Sequence, residues 1–261
     1  MIRKTHNHFL LNPSPWPLVC SFSGFNLLIS LLFFLKTGNT LWFFLRFLSI
    51  SLARFFWWLI YRGECSLEGK FSFHLEDGLK FSIILFISSE VLFFFSFFWA
   101  YFHFYLRPIL DLGLSWPPEM VLSFDCLNVP LINTLILISS GVTVTLRHHF
   151  ICGGKKNLFN FFLFLTVVLG AAFTFLQGQE YIRSFFSIRD STFGTSFFIL
   201  TGFHGIHVLI GTVFLFTVLL RRILLNSSIK NFLSFELSSW YWHFVDVVWL
   251  FLYFSLYYLN A

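Results

Sequence analysis

Charged side chains are scarce in this sequence. Asp, Glu, Lys and Arg make up 11% of the 261 residues, whereas hydrophobic residues make up 57%. A soluble globular domain carries about 25% charged residues, so a water-soluble core is excluded. The composition predicts a polytopic membrane protein whose apolar helices span the bilayer.

Alanine is also rare, with five residues against 42 phenylalanines. Helix propensity would favour the reverse, because Ala is the strongest helix former. The bias therefore reflects the coding DNA, since Phe codons are rich in T and Ala codons are rich in G and C. It indicates an AT-rich genome, of which an organellar genome is one example.

Paired cysteines and targeting segments are missing as well. The four cysteines form no CxxC or CxxxC pair, so neither a disulfide framework nor a thiolate metal site is predicted. The first eighteen residues are polar and then interrupted by proline, without the cleavage site of a signal peptide or the pattern of a transit peptide. We expect the protein to be made where it is inserted.

Seven apolar runs have the length of membrane helices, at about 16–35, 41–61, 79–106, 128–147, 158–181, 195–220 and 237–259. The net charge of +5 lies mostly in the short loops between them and does not indicate nucleic-acid binding. Eleven Lys and Arg residues lie on the side of the N-terminus and five on the other side. The positive-inside rule therefore predicts an inside N-terminus. No internal repeat supports an inverted-repeat transporter.

Glu90 is the single acidic residue of the run 81–106, which contains no Pro or Gly. It lies about 15 Å along a helix from Lys80, or half of a hydrocarbon core of about 30 Å. An ionised carboxyl at that depth costs about 2.5–3.5 kcal/mol on insertion scales. Glu90 is therefore expected to be protonated, partnered or turned into a bundle. Two roles stay open, a neutral hydrogen-bonded group that strengthens helix packing and a proton-handling group.

His204 and His207 lie three residues apart in the sixth run and share a helix face. They could ligate a metal or relay protons. Two histidines make an incomplete metal site, so the favoured interpretation is two neutral imidazoles bonded to neighbouring helices. Gly202 and Gly205 would then allow those helices to approach closely.

His243 and Asp246 have the same spacing in the seventh run and can satisfy each other locally. A catalytic dyad would need a nucleophile nearby, and the sequence offers none. Gln177 and Glu180 share a face at the end of the fifth run, where Glu180 is expected to be a solvated or interfacial carboxylate. The sequence thus predicts no catalytic residue and no metal site in this chain.

Motifs from end to end carry a resemblance to a known family. They are Pro13–Pro17, Ile84–Glu90, Phe98–Ala100, Val129–Thr134, Ser140–Thr143, Leu176–Gln177, Glu180–Tyr181, Thr201–His207 and Trp240–Trp249, the last two being very specific. On these residues the chain resembles the subunit III family of mitochondrial haem–copper cytochrome c oxidases. The segment after Trp58 departs from the family pattern as far as Phe71, which is expected to alter the matrix-side surface.

The resemblance implies an all-α membrane protein with seven transmembrane helices. Helices one and two would form one bundle and helices three to seven a second, with a lipid-filled V-shaped cleft between them. Four segments follow, namely a matrix-side lead over 1–15, the two-helix bundle over 16–61, a matrix-side loop over 62–78 and the five-helix bundle over 79–261. The N-terminus would face the matrix and the C-terminus the intermembrane space.

The resemblance also implies a function. The family subunit is a non-redox core subunit of a complex in the mitochondrial inner membrane that reduces O₂ with electrons from cytochrome c and pumps protons. Haem a, haem a3 and copper belong to the partner subunits I and II, and accessory subunits complete the complex. Subunit III stabilises the catalytic subunit, supports matrix-side proton uptake and binds phospholipids.

Individual residues inherit expectations from the same resemblance. Glu90 falls on the family's buried glutamate, and His204 and His207 fall on the histidines of its sixth helix. With this match the favoured interpretation is a mostly protonated Glu90 that is hydrogen-bonded to His204 or His207. Candidates for contact with lipid headgroups are Trp57, Trp58, Arg62, Glu64 and Arg221. A proton-coupled carrier that uses Glu90 with His204 and His207 as a relay is the alternative function, and a small His-ligated membrane enzyme is a third.

Overall fold

The computed structural model describes residues 14–66, 73–108, 114–118, 121–152, 156–225 and 233–260. Within these ranges the chain contains seven α-helices and no strand. They are α1 (Trp16–Thr37), α2 (Thr40–Ser66), α3 (Phe73–Leu106), α4 (Val129–Cys152), α5 (Lys156–Ile182), α6 (Thr192–Leu225) and α7 (Leu233–Leu252). Each contains a stretch long and apolar enough to cross a membrane. The predicted all-α fold with seven spans is confirmed.

Several helices continue beyond their apolar runs. Helix α2 ends at Ser66 and α3 begins at Phe73, so both extend into the segment 62–78 that hydropathy assigned to a loop. A helix satisfies its own backbone hydrogen bonds and does not need to stop at the membrane boundary. Helices α3 and α6 have 34 residues each, or about 51 Å. They are longer than the hydrocarbon core, so they must tilt or protrude from it.

The first compact unit comprises Met1–Phe81. Within it α1 and α2 pack antiparallel. This is seen where Trp16 at the start of α1 stacks on Phe56 in the second half of α2, with ring centroids 5.3 Å apart. The reversal between them occurs at Gly38, which has a left-handed φ of 71° and donates its N–H to the Phe34 carbonyl at 2.7 Å. Glycine adopts this conformation without steric cost.

The second compact unit comprises Ser82–Ala261. Helices α4, α5, α6 and α7 pack in sequence order, and α4 also contacts α7, so the four close into a bundle. Helix α3 joins them through aromatic side chains, with Phe93 edge-on to Phe203 at 5.1 Å and Phe86 stacked on Tyr241 at 6.1 Å between ring centroids. The grouping of helices one and two apart from helices three to seven agrees with these contacts.

Trp242 occupies the centre of the second unit and is fully buried. Its indole Nε1 donates a hydrogen bond to the Ser140 hydroxyl at 2.9 Å, which joins α7 to α4. A Cβ on Gly211 would lie 2.8 Å from the indole, and one on Gly170 would lie 2.7 Å from it. Helices α5 and α6 can therefore contact this ring only because both positions are glycine.

The glycines that the sequence singled out for close approach do not have that role. A Cβ on Gly202 or Gly205 would meet no atom of the described chain within 4 Å. The predicted close packing at these two positions is wrong, because both lie on faces of α6 that point away from its neighbours. The large ring that requires glycine lies at a different level of the bundle, opposite Gly211.

The segment after α7 is tied to the end of α3. It forms a π-helical turn over Tyr253–Tyr257 and a 3₁₀ turn over Tyr258–Asn260. The Asn260 amide donates to the Tyr101 hydroxyl at 2.8 Å, and that hydroxyl donates to the Ser255 carbonyl at 2.7 Å. Ser123, which precedes α4, donates to the Asn260 carbonyl at 2.9 Å.

Candidate functional site

Glu90 and His207 form a hydrogen-bonded pair between α3 and α6. The His207 Nε2 lies 2.8 Å from the Glu90 Oε2, and the other ring nitrogen, Nδ1, lies 2.7 Å from the Phe203 carbonyl oxygen. The Glu90 side chain is 22% exposed and the His207 side chain is 10% exposed. The structure thus brings together the single acidic residue of the apolar run 81–106 and one of the two histidines predicted as its partner.

The geometry fixes the number of protons that the pair carries. A carbonyl oxygen only accepts hydrogen bonds, so Nδ1 of His207 must carry a proton. The short contact between Nε2 and Oε2 then requires one further proton between them. That proton belongs either to a neutral carboxyl beside a neutral imidazole or to an imidazolium beside a carboxylate. In both arrangements the pair has no net charge, which is the condition that the membrane interior favours.

Aromatic rings surround the imidazole of His207. The ring centroids of Phe94, Phe93, Tyr241 and Phe244 lie 5.0, 6.4, 6.3 and 6.3 Å from its own. These rings keep the hydrogen bond in an apolar environment, where an unmade bond is more costly than in water. The pair therefore joins two helices firmly while exposing little of its polarity.

His204 does not join this pair. It is 1% exposed, and its ring packs against Phe173 and Trp249 with centroids 5.6 and 5.2 Å away. Neither of its ring nitrogens has a hydrogen-bond partner among the described residues. Although the two histidines are only three positions apart, one points to α3 and the other into the interior of the α4–α7 bundle.

His243 and Asp246 lie on α7 beside α4. The His243 Nδ1 and the Asp246 Oδ2 are 3.9 Å apart, which is too long for a hydrogen bond. Asp246 approaches α4 at Gly141, where a Cβ would lie 2.8 Å from its Oδ2. The His243 side chain is 42% exposed on the outside of the unit. The two groups are neighbours, but they do not satisfy each other.

A buried polar cluster at the end of α5 was not anticipated. The expectation of a solvated or interfacial Glu180 is wrong, because Glu180 is only 3% exposed and Gln177 only 4%. The Tyr257 hydroxyl faces the Glu180 carboxyl, and none of the three side chains has a well-formed hydrogen bond within the described chain. One further bond lies nearby, from the Tyr181 hydroxyl to Thr201 Oγ1 at 2.8 Å.

The spacing of the buried positions along α5 is a sequence pattern that includes Gln177 and Glu180. The positions 159, 163, 166, 170, 173, 177 and 180 are all buried and follow alternating steps of four and three. This is the period of one helix face. Because the remainder of α5 is almost as apolar as that face, hydrophobicity alone does not reveal which side is inside.

Comparison with known proteins identifies the family. The sequence model of cytochrome c oxidase subunit III matches residues 6–261. Cytochrome c oxidase subunit 3 of Paracentrotus lividus is 46% identical over 257 residues, and the proteins of that name from Mus musculus and Myxine glutinosa are each 44% identical over 257 and 258 residues. Each alignment covers 98% of both chains.

The chain belongs to the cytochrome c oxidase subunit III family. It therefore belongs with the subunits of an oxidoreductase complex, and its seven apolar helices make it a multi-pass membrane protein. Among the residues that the structure describes, no three His, Cys, Asp or Glu side chains are grouped as potential metal ligands.

Of the five candidates for contact with lipid headgroups, the structure describes the side chains of two, Trp57 and Arg221. The Trp57 side chain is 40% exposed near the end of the apolar span of α2. Arg221 is exposed near the end of α6, where its Nη1 donates to the Ser234 hydroxyl at 3.3 Å. The side chains of Trp58, Arg62 and Glu64 lie outside those that the structure describes.

Proposed function

We propose that this chain is a non-redox core subunit of the respiratory cytochrome c oxidase complex. In that role it stabilises the catalytic subunit, supports proton uptake on the matrix side and binds structural phospholipids. The observation that carries the proposal is the family match over residues 6–261. The motifs that the sequence singled out lie on every helix of the second unit, in agreement with a match that spans the chain.

The partners follow from this assignment. Subunits I and II would supply haem a, haem a3 and the copper centres, and cytochrome c would be the electron donor of the complex. The complex would lie in the mitochondrial inner membrane, with this chain encoded in the organelle. The segments 1–15 and 62–78 would face the matrix, because the larger share of the Lys and Arg residues lies on that side.

The Glu90–His207 pair has a positioning role in this proposal. It joins α3 to α6 within the apolar span of each helix, and it holds one shared proton without a net charge. A hydrogen bond between side chains of two helices restricts both rotation and sliding of the helices that carry them. The pair would thus keep the surface of the five-helix unit in the shape that the catalytic subunit recognises.

The polar pair of His243 and Asp246 on α7 supports a role in assembly. Asp246 lies at the middle of the apolar span Leu233–Asn260, and its buried Oδ1 has no hydrogen-bond partner within the described part of the chain. Ionisable side chains at this depth almost always face protein or water, because hydrocarbon cannot solvate them. A neighbouring transmembrane helix of another subunit would cover the half-exposed His243 and the exposed edge of Asp246.

The proton-coupled carrier is the weaker function. A relay through His207 would need an acceptor beyond Nδ1, and that atom bonds to the Phe203 carbonyl, which is not a titratable group. His204, the proposed next member, has no hydrogen bond to any described residue. The histidines therefore do not connect Glu90 to another proton-carrying side chain.

Affinity purification through a tag on this chain tests the proposal. We expect the purified complex to show the absorption bands of haem a, to contain copper and to oxidise reduced cytochrome c. Dissociating the complex should separate this chain from both cofactors. A chain that purifies without a haem–copper subunit, or retains stoichiometric haem after dissociation, would contradict the proposal. Proton flux in liposomes containing this chain alone would establish the carrier instead.

A further inference from the structure

A layer of polar side chains crosses the interior of the bundle formed by α4 to α7. Its members are Asn133 on α4, Gln177 on α5, His204 on α6 and Trp249 on α7, and each is 4% exposed or less. None of their side-chain nitrogen and oxygen atoms has a well-formed hydrogen bond with a described residue. We call these four side chains the polar layer.

Asn133 and Gln177 lie at the same level of two neighbouring helices. Helices α4 and α5 form an antiparallel pair, in which the Thr143 and Thr166 hydroxyls share a hydrogen bond of 2.8 Å. Asn133 lies ten residues before Thr143, and Gln177 lies eleven residues after Thr166. At 1.5 Å per residue both are about 15–16 Å from that bond, in the same direction. Because both side chains are buried, they occupy the same part of the interior.

His204 and Trp249 complete the polar layer from the other two helices. The His204 ring packs on Phe173 with centroids 5.6 Å apart, and Phe173 lies four residues before Gln177 on the same face of α5. The Trp249 ring contacts both of these rings, at 5.2 Å from His204 and 4.7 Å from Phe173 between centroids. His204 and Trp249 therefore lie within about one helical turn of Gln177 along the bundle.

Glu180 and Tyr257 extend the polar layer toward the end of α5. Glu180 follows Gln177 by three residues on the buried face, and α5 ends two residues later at Ile182. The Tyr257 ring lies 6.1 Å from that of Trp249 between centroids, and its hydroxyl faces the Glu180 carboxyl without a well-formed hydrogen bond. The buried polar groups thus continue from the interior of the bundle to the end of a helix.

Polar groups without partners are costly in the interior of a protein. A buried donor or acceptor that is left unpaired forfeits the hydrogen bonds that it makes with water in the unfolded chain. The four side chains of the polar layer stand too far apart, or at unsuitable angles, to bond directly with one another. A water molecule can bridge such groups, because it donates and accepts hydrogen bonds in several directions.

We propose that the polar layer, together with Glu180 and Tyr257, is a binding site for ordered water molecules. The layer consists of two amides, an imidazole and an indole, so hydrogen-bond donors and acceptors are mixed within it. A buried water typically makes about three hydrogen bonds to groups that lack other partners. The water molecules would link all four helices of the bundle at this level. Such a site lies within this chain and is independent of its partners in an oxidase complex.

Density for the wild-type complex that contains the full chain is the direct test. In a cryo-electron microscopy map that resolves ordered water elsewhere in this subunit, we expect water in the polar layer as well. At least one molecule should lie within about 3.2 Å of polar atoms from two members of the layer. A map that shows water elsewhere in the subunit but none in the layer would overturn the proposal.

The decisive variant is Gln177→Met, which removes both polar atoms of the amide at nearly constant volume. If water fills the layer, that water loses a partner, and we expect the thermal midpoint of the complex to fall by about 2–4 °C. In a dry layer the same change removes an unpaired group, so the midpoint should stay or rise. An unchanged or higher midpoint therefore contradicts a hydrated layer.

The matched control is Gln179→Met, because Gln179 lies on the same helix but is only half-buried. Its midpoint should equal that of the wild type. Asn133→Leu makes the same kind of change on α4 and should also lower the midpoint. It takes the place of Gln177→Met if that variant does not assemble, with the same outcome counting against the proposal.

A bound cation is the competing occupant of this site. The Glu180 carboxylate and the amide oxygens of Gln177 and Asn133 are ligands that Na⁺ or Ca²⁺ would accept. The thermal midpoints of the wild type and of Glu180→Gln are therefore followed while NaCl or CaCl₂ is titrated at constant ionic strength. For a water site we expect midpoints that do not depend on the cation. A rise with Na⁺ or Ca²⁺ that Glu180→Gln abolishes would assign the site to a cation and overturn the proposal.

Discussion

At the scale of single residues, the Glu90–His207 bond shows how a carboxyl is kept in an apolar bundle. One nitrogen of the imidazole is occupied by a backbone carbonyl, so the other must share a proton with Glu90. The carboxyl then has a partner in either charge state. This explains how the apolar part of α3 can carry an acidic group.

Glu90→Gln is expected to assemble normally. If the shared proton resides on the carboxyl, the amide of Gln can donate to Nε2 of His207 in its place. Glu90→Leu should instead lower the stability by about 1–3 kcal/mol, because Nε2 is left without a partner among aromatic rings. The measurement is the thermal midpoint and yield of the purified complex.

Loss of assembly in the Gln variant would show that the carboxylate charge is structural. The control is Asp77→Asn, an exposed change on the same helix.

Asp190, in the connection between α5 and α6, should respond to pH outside the membrane span. Its carboxylate accepts hydrogen bonds from the Ser187 amide at 2.6 Å and the Ser187 hydroxyl at 2.8 Å, and these hold the pKa of Asp190 below its usual value. Because the folded-state pKa is the lower one, this contribution is present above the usual pKa and is lost as pH falls through the lowered one.

Hydrogen exchange of the peptide containing Ser187 measures this effect. We expect faster exchange in Asp190→Ala than in the wild type at neutral pH. The difference should shrink once the pH falls below the ordinary range of an aspartate pKa. A difference that stays constant down to the lowest pH would show that the carboxylate does not order this turn, and Asp190→Asn, which keeps one acceptor, should lie between the two.

At the scale of helices, the rotation of α6 decides which histidine meets Glu90. The sequence could place both on one face, but residues three apart differ by about 60° around the helix axis. Only the packing of α6 against α3, α5 and α7 resolves that difference. It turns His207 to Glu90 on α3 and His204 to Trp249 on α7. The number of spans was predictable from hydropathy, because each needs a long apolar run. Burial along α5 was not predictable in this way, because nearly every face of this helix is apolar.

Gly211→Ala and Gly202→Ala form a matched pair on α6. The added methyl group at Gly211 would overlap the Trp242 indole, so we expect a loss of about 1–3 kcal/mol. At Gly202 it would meet nothing within 4 Å, and the greater helix propensity of Ala should raise stability by about 0.5–1 kcal/mol. Thermal unfolding of the two variants in the same detergent measures both. Equal effects would mean that Trp242 does not pack on α6 as described.

At the scale of the whole molecule, the described outer surface is dominated by large apolar side chains. Such a surface suits lipid, but His243 is half-exposed and Asp246 lies at the centre of its span. A monomer surrounded only by hydrocarbon would leave this pair without a partner. The pair therefore favours a protein neighbour at this place, in keeping with membership of a multi-subunit oxidase.

Asp246→Leu should reduce the amount of this chain that co-purifies with the haem–copper subunit, because the partner helix loses its acceptor. Asp246→Asn keeps an acceptor oxygen and should retain most of the complex. Val247→Leu, an exposed change next to it, is the control. Quantitative mass spectrometry of subunit ratios measures all three. Equal recovery of the Leu variant and the wild type would place the subunit interface elsewhere.

The bond between Tyr101 and Asn260 has a consequence for biosynthesis. The two residues are 159 positions apart in the chain, yet the Asn260 amide donates a hydrogen bond to the Tyr101 hydroxyl. A growing chain that has inserted α3 cannot close this contact until residue 260 has left the ribosome. Until then the end of α3 lacks this bond, so the junction of α3 with the segment after α7 forms late in the synthesis of the subunit.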